Sequence, residues 1–294
     1  MRGGRPLATL AITTIPVADV SHALAANALA ANALADNPLA GNAVHVWRIP
    51  VLADPALTHA CNGLLTAAEL HRGKRYSRDE DRLRYQLGRA AMRCLLARYL
   101  GVPPKQIGLE ANQAGKPQLD ADTLAHIRAD IRADTRGANS VIHFNLSHSG
   151  HWVMAAFARS FAVGIDVEAL SAKSASDRVI EYVLSDRELQ VLRGLPQHKQ
   201  TAAFFKAWTS KEAFVKGIGV GLAAGLKTIE VSVDPDQPAR LVSAPPEHRP
   251  DLWQLQTLEF SEDYAATLAL ALPPAAAPQI LDVAVDNAHH VLEH

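Results

Sequence analysis

The sequence predicts an α+β protein made of two halves of similar content, with a functional cleft between them. Three observations carry that expectation. Strand-like and helix-like stretches come in the order strand, helices, strands, and then helices and strands again. The 294 residues suffice for one large domain or two small ones with a substantial core. An acidic strand motif over residues 163–168 falls where the two series join, and clefts between such units commonly hold the functional groups.

The first 42 residues read as an appendage outside this body. Arg2 to Arg5 followed by an apolar run over 7–15 faintly resembles an export signal, but Thr9, Thr13, Thr14 and Pro16 dilute it, so a cytoplasmic location is expected. Residues 23–37 repeat Ala-Leu-Ala-Ala-Asn, and Leu24, Leu29 and Leu34 step about 140° apart on a helix, which gives no continuous apolar stripe. The N-terminal half, 43–158, opens with an alternating strand over 44–49. A helix around 66–76 and a longer one over 79–99 follow, the latter with Leu83, Leu87, Ala91, Leu95 and Leu96 near helical spacing and stopped by Gly101, Pro103 and Pro104. These two helices carry Arg72, Lys74, Arg75, Arg78, Arg82, Arg84, Arg89 and Arg93, which suits either a solvated basic face or a ligand with several phosphates.

Gly115-Lys116-Pro117 is a turn that presents a lysine, and 121–139 reads as an inserted charged loop or helix. A strand over 141–146 breaks into Ser147-His148-Ser149-Gly150. Residues 152–158 and 161–167 look like a hairpin turning near Arg159 and Ser160. The C-terminal half is expected over 159–272. Ser185-Asp186-Arg187-Glu188 is a capping box opening a short helix to about Arg193. A central helix over 201–216 and strands over 226–233, 252–258 and 264–272 complete it, and 273–294 reads as a tail.

Composition narrows the function classes. Asp and Glu number 30 against 29 Lys and Arg, so no global charge points to a nucleic-acid partner. Only two cysteines, Cys61 and Cys94, are present, which argues for a reducing compartment and against a thiolate zinc site. His143, His148 and His151 match none of the usual zinc spacings. No apolar run is long enough to span a membrane.

Chemistry concentrates in two stretches. In Trp208-Thr209-Ser210-Lys211-Glu212-Ala213-Phe214-Val215-Lys216, Glu212 and Lys216 are neighbours along the edge of an otherwise apolar helix, which taken alone suits a helix-stabilising pair. In Val163-Gly164-Ile165-Asp166-Val167-Glu168, strand alternation puts Asp166 and Glu168 on one face, roughly 6.5–7 Å apart. Two such carboxylates raise each other's proton affinity unless a cation lies between them. With Glu212 they supply three hard oxygen ligands of the kind Mg²⁺ takes beside water and substrate phosphate, and Lys216 adds a point charge for that phosphate.

Gly164-Ile165-Asp166-Val167-Glu168, followed by Trp208 to Lys216 and preceded by Phe144-Asn145-Leu146-Ser147-His148-Ser149-Gly150, resembles the motif set of the two-halved, Sfp-type 4′-phosphopantetheinyl transferases. The resemblance spans roughly residues 44–272. It implies two α/β halves related by a pseudo-twofold, with coenzyme A between them. It implies transfer of the phosphopantetheine arm of coenzyme A to a serine of an apo acyl or peptidyl carrier protein, with release of adenosine 3′,5′-bisphosphate. Carried over by position, Asp166, Glu168 and Glu212 are the Mg²⁺ ligands, with Mn²⁺ an alternative, and Glu212 and Lys216 are catalytic. Arg72, Arg84, Lys116, Ser147, His148, Asp166 and Lys216 contact coenzyme A, with Lys74 or Arg75 able to replace Arg72. Both halves of the site lie on one chain, so a monomer is expected, with no nucleic-acid or membrane partner.

Overall fold

The computed structural model describes residues 12–17, 39, 41–125, 142–171, 174–221, 225–272, 277–285 and 289–292. The repeat over 23–37 and most of the inserted stretch over 121–139 lie outside these. Along the described chain run β1 (Ile12–Val17), β2 (Ala43–Pro50), α1 (Pro55–Leu64), α2 (Ala67–Gly73), α3 (Asp79–Leu100), β3 (Leu109–Ala111), β4 (Pro117–Leu119), β5 (His143–Ser149), β6 (Trp152–Ala158) and β7 (Val163–Ala169). After these come α4 (Asp177–Val183), α5 (Asp186–Gly194), α6 (Gln197–Ile218), β8 (Glu230–Val231), β9 (Leu241–Ser243), β10 (Gln254–Thr257), β11 (Tyr264–Leu270), β12 (Gln279–Val285) and α7 (His289–Leu292). Among the described residues no helix is long and apolar enough to cross a membrane.

Two sheets stack between two long helices. The larger has strand order β1-β12-β2-β6-β5 and the smaller β10-β11-β7. Strand alternation sorts the side chains into layers. On β6, Val153, Ala155 and Phe157 join Leu87 and Leu95 of α3 in one core, while Met154, Ala156 and Ala158 turn to Val163, Ile165 and Val167 of β7 in the core between the sheets. The outer face of the smaller sheet packs on α6, where Phe204, Phe214 and Val215 meet Leu255 and Ala269. The alternation in the acidic motif thus has a structural cause: its apolar residues fill the space between the sheets and its acids face away.

Several expectations are corrected. β6 and β7 are not a hairpin: β6 lies between β2 and β5, which occupy both its edges, and β7 pairs with β11. The hairpin is β5–β6, closed through Gly150 at φ 53. The stretch after Pro273 holds β12, which inserts between β1 and β2 with Ile280, Leu281, Val283 and Val285 buried. The strand expected over 226–233 is a 3₁₀ turn followed by only Glu230–Val231. Helix α1 was not expected; Asp54 is its N-cap and Pro55 its first helical residue.

Lys211 anchors α6 from inside the core. Its side chain is fully buried, and its Nζ donates to Glu188 Oε2 at 2.5 Å, Val183 O at 2.8 Å and Leu226 O at 3.0 Å. Glu188 is held in turn by the Ser185 capping box and by Val231 N at 2.8 Å. Lys211→Met leaves a buried carboxylate without its counter-charge and is expected to cost about 3–5 kcal/mol in urea unfolding. A loss below about 1 kcal/mol would contradict this role.

Candidate active site

β7 and α6 touch backbone to backbone, and this contact builds the site. A Cβ on Gly164 would stand 2.0 Å from Ala213 O and 2.5 Å from Gly217 N, so only glycine permits the approach. α6 then ends at Gly219, whose φ of 77 gives a left-handed cap. Asp166 and Glu168 on β7 and Glu212 and Lys216 on α6 lie near enough to feel one another's charge. Lys216 Nζ lies 2.6 Å from Asp166 Oδ1, so its partner is Asp166 rather than the helical neighbour Glu212.

The third motif supplies a side-chain ladder between the sheets. β7 is an edge strand of its sheet, and buried N–H groups on such an edge need partners. Residues alternating along β5 provide them: Asn145 Oδ1 accepts from Ile165 N at 2.9 Å, Ser147 Oγ from Val167 N at 3.3 Å, and Ser149 Oγ from Ala169 N at 3.1 Å. The two serines also donate onward, Ser147 Oγ to Asp166 Oδ1 at 2.7 Å and Ser149 Oγ to Glu168 Oε2 at 2.9 Å. Lys216 Nζ lies 2.9 Å from Ser147 Oγ. Each serine therefore fixes a strand and a carboxylate together. Asn145 and Ser149 were not singled out from the sequence, although polar residues at 145, 147 and 149 share the period of two that marks one face of a strand.

Electrostatics favour a cation here. Glu168 is pushed up to about 7 by burial and by the negative charges of Asp166 and Glu212, against the pull of Ser149 and Lys216. Glu212 is likewise raised to about 7, by burial and then Asp166, with Lys216 opposing. Asp166 is 1 % exposed, and its Oδ2 is buried without a hydrogen-bond partner. Three mutually repelling carboxylates and an unsatisfied oxygen suit a divalent ion as donors. Among the described residues, however, no three His, Cys, Asp or Glu side chains stand drawn together in a ligating arrangement.

The other expected residues fall in different places. His148 follows Ser147 on β5 with its side chain exposed, and its pKa is lowered by desolvation of the ring among its neighbours and then by the positive charges of Lys216 and Arg84. Arg84 Nη1 donates to Gly150 O at 2.8 Å, and its other Nη pairs with Asp81. Arg72 lies over the Tyr85 ring, 5.7 Å from its centroid. Lys116 reaches the junction of α6 and β7: its Nζ donates to Gly217 O at 3.0 Å and lies 3.5 Å from Val163 O, and burial pushes its pKa down to about 8. The basic density of the N-terminal helices is partly internal, since Arg89 and Arg93 both pair with buried Glu69.

Comparison with known proteins gives a consistent picture. The family model described as 4′-phosphopantetheinyl transferase superfamily matches residues 162–269, and that described as 4′-phosphopantetheinyl transferase, N-terminal, matches 54–160. The chain is 33 % identical over 228 residues to 4′-phosphopantetheinyl transferase HetI of Nostoc sp., covering 78 % of this chain and 87 % of that protein. It is 32 % identical over 196 residues to 4′-phosphopantetheinyl transferase psf-1 of Bacillus pumilus, covering 67 % and 74 %. Against 4′-phosphopantetheinyl transferase Sfp of Bacillus subtilis it is 28 % identical over 200 residues, covering 68 % and 79 %.

Proposed function

Because this chain belongs to the 4′-phosphopantetheinyl transferase superfamily, we propose that it moves the phosphopantetheine arm of coenzyme A onto a serine hydroxyl of an apo acyl or peptidyl carrier protein. The observation that carries this reading is the contact of Lys216, Ser147 and Asp166 across α6, β5 and β7, beside two carboxylates held near neutral pKa.

The chemistry follows from what each residue offers. Lys216 and His148 would offer positive charge or N–H donors to the phosphates of coenzyme A, and Arg84 and Arg72 to its nucleotide end. The carrier serine oxygen attacks the phosphorus on the pantetheine side, and the bond from that phosphorus to the bridging oxygen breaks. Adenosine 3′,5′-bisphosphate leaves with the bridging oxygen. Glu212, with a pKa near 7, is suited to take the serine proton. Ser147 is committed to Asp166 and to the β7 backbone, so it positions rather than attacks. Asp166, Glu168 and Glu212 would hold Mg²⁺ or Mn²⁺, which when bound supplies charge neutralisation on the pyrophosphate oxygens. One chain carries both halves, which supports a monomer.

A metal-dependent hydrolase of coenzyme A would use the same carboxylates, so the discriminating experiment measures adenosine 3′,5′-bisphosphate with and without an apo carrier. The transferase releases it only when carrier is present. Release at the same rate without carrier would overturn the proposal in favour of hydrolysis.

The raised pKa values also predict a pH effect. Glu168 and Glu212 bind a proton more tightly folded than unfolded, so their contribution to stability is fully present below about 4.5 and is lost as pH rises through about 7. A divalent ion offsets that loss. Thermal unfolding of the metal-free protein should show Tm falling between pH 5 and pH 8 with added Mg²⁺ raising Tm more at pH 8 than at pH 6. An equal Mg²⁺ effect at both pH values would contradict metal binding by these two groups.

A further inference from the structure

We propose that Lys116 is a positioning residue for the transfer step, acting through the junction of β7 and α6 rather than by contact with coenzyme A. The inference rests on the transferase reading above. Its ammonium reaches from the N-terminal half to both elements that carry the acidic cluster, at Gly217 O of α6 and near Val163 O of β7. Those two residues stand at the close backbone contact of β7 and α6, where a Cβ on Gly164 would meet Gly217 N at 2.5 Å. Gly217 precedes the end of α6, where carbonyls lack intrahelical partners and a cation is favourable.

A second donor comes from the same turn. Asn112 Oδ1 accepts from Ala114 N and Lys116 N, each at 2.9 Å, which closes the turn on itself. Asn112 Nδ2 then donates to Gly219 O at 3.1 Å. One short turn of the N-terminal half thus caps two carbonyls at the end of α6. Lys216 is the residue before the first of them, and Asp166 lies three residues beyond Val163. Loosening the turn lets the end of α6 shift against β7, and with it the ammonium against the carboxylate. A lysine serving the nucleotide would have to give up these carbonyls.

The test compares Lys116→Met, Lys116→Arg, Asn112→Ala and the Lys116→Met/Asn112→Ala double variant. Steady-state turnover is measured on a carrier protein, and calorimetry measures adenosine 3′,5′-bisphosphate binding without turnover. Lys116→Met should lower kcat by about 10-fold or more, since misplacement of reacting groups by a fraction of an ångström to 1 Å has effects up to about 10²-fold. Its Kd for the bisphosphate should stay within about 2-fold of wild type. Asn112→Ala should fall in the same direction, the double variant should be less impaired than the product of the two, and Lys116→Arg should recover part of kcat. A roughly tenfold weaker Kd in Lys116→Met with Asn112→Ala inert would overturn the inference in favour of a nucleotide contact, and so would wild-type kcat in Lys116→Met. Asn112→Ala, which keeps the ammonium, remains decisive if Lys116→Met folds poorly. A wild-type protein that transfers nothing would instead remove the transferase reading, and this inference with it.

Discussion

Asp166→Asn is expected to lower kcat/KM for transfer by about 10³-fold or more while the fold is retained. The substitution is nearly isosteric and keeps an oxygen to accept from Ser147, so the β5–β7 ladder survives. What it removes is the charge that pairs with Lys216 and the anionic donor whose Oδ2 lies buried without a partner. Glu212→Gln should act in the same direction, since it removes both a donor and the group with a pKa near 7. Turnover of each purified variant, with its thermal melt as the folding control, checks this. Near-normal turnover in either folded variant would contradict the assigned role.

Lys216→Met is expected to lower kcat by about 10²–10³-fold, because a fixed cation that meets developing phosphate charge stabilises the transition state more than the ground state. The structure adds that this ammonium also touches Ser147 Oγ at 2.9 Å and Asp166 Oδ1 at 2.6 Å. Its loss therefore loosens the carboxylate as well. Full kinetics on coenzyme A separate the cases: an effect confined to KM would assign Lys216 to ground-state binding.

The parts of the site that could be read from the sequence are those governed by local periodicity. Alternation over 163–168 places Asp166 and Glu168 on one face of β7, and helical spacing puts Glu212 and Lys216 on one edge of α6. The capping box at Ser185 starts α5 where its side-chain pattern indicates. What is not legible depends on which strand lies beside which. The apolar alternation of β6 and β7 is the same whether they pair with each other or belong to two stacked sheets, so the sheet change near Arg159 leaves no local signal. The β12 segment lies far along the chain from β2, and a strand that returns to the core after Pro273 cannot be told from a tail by composition. Lys116 shows the same limit at one residue: its turn is readable, while the carbonyls it reaches are 101 and 47 positions away.

The two halves also explain why the motifs are spread so widely along the chain. Asn145, Ser147 and Ser149 stand on the larger sheet, and their partners on β7 stand on the smaller one. The site forms only when the inner face of the larger sheet, at β5, meets the β7 edge of the smaller one. The core between the sheets, with Val44, Val46 and Met154 against Ile165, Val167 and Leu268, holds that meeting in register.

The most direct measurement of the central claim is the intact mass of an apo carrier protein after incubation with this protein, coenzyme A and Mg²⁺, beside a reaction containing a chelator. The account predicts a gain of one phosphopantetheine group on the carrier, abolished by the chelator and by Asp166→Asn. An unchanged carrier mass across fatty-acid and peptide-synthetase carriers would contradict it, and consumption of coenzyme A in those same reactions would assign the site to hydrolysis.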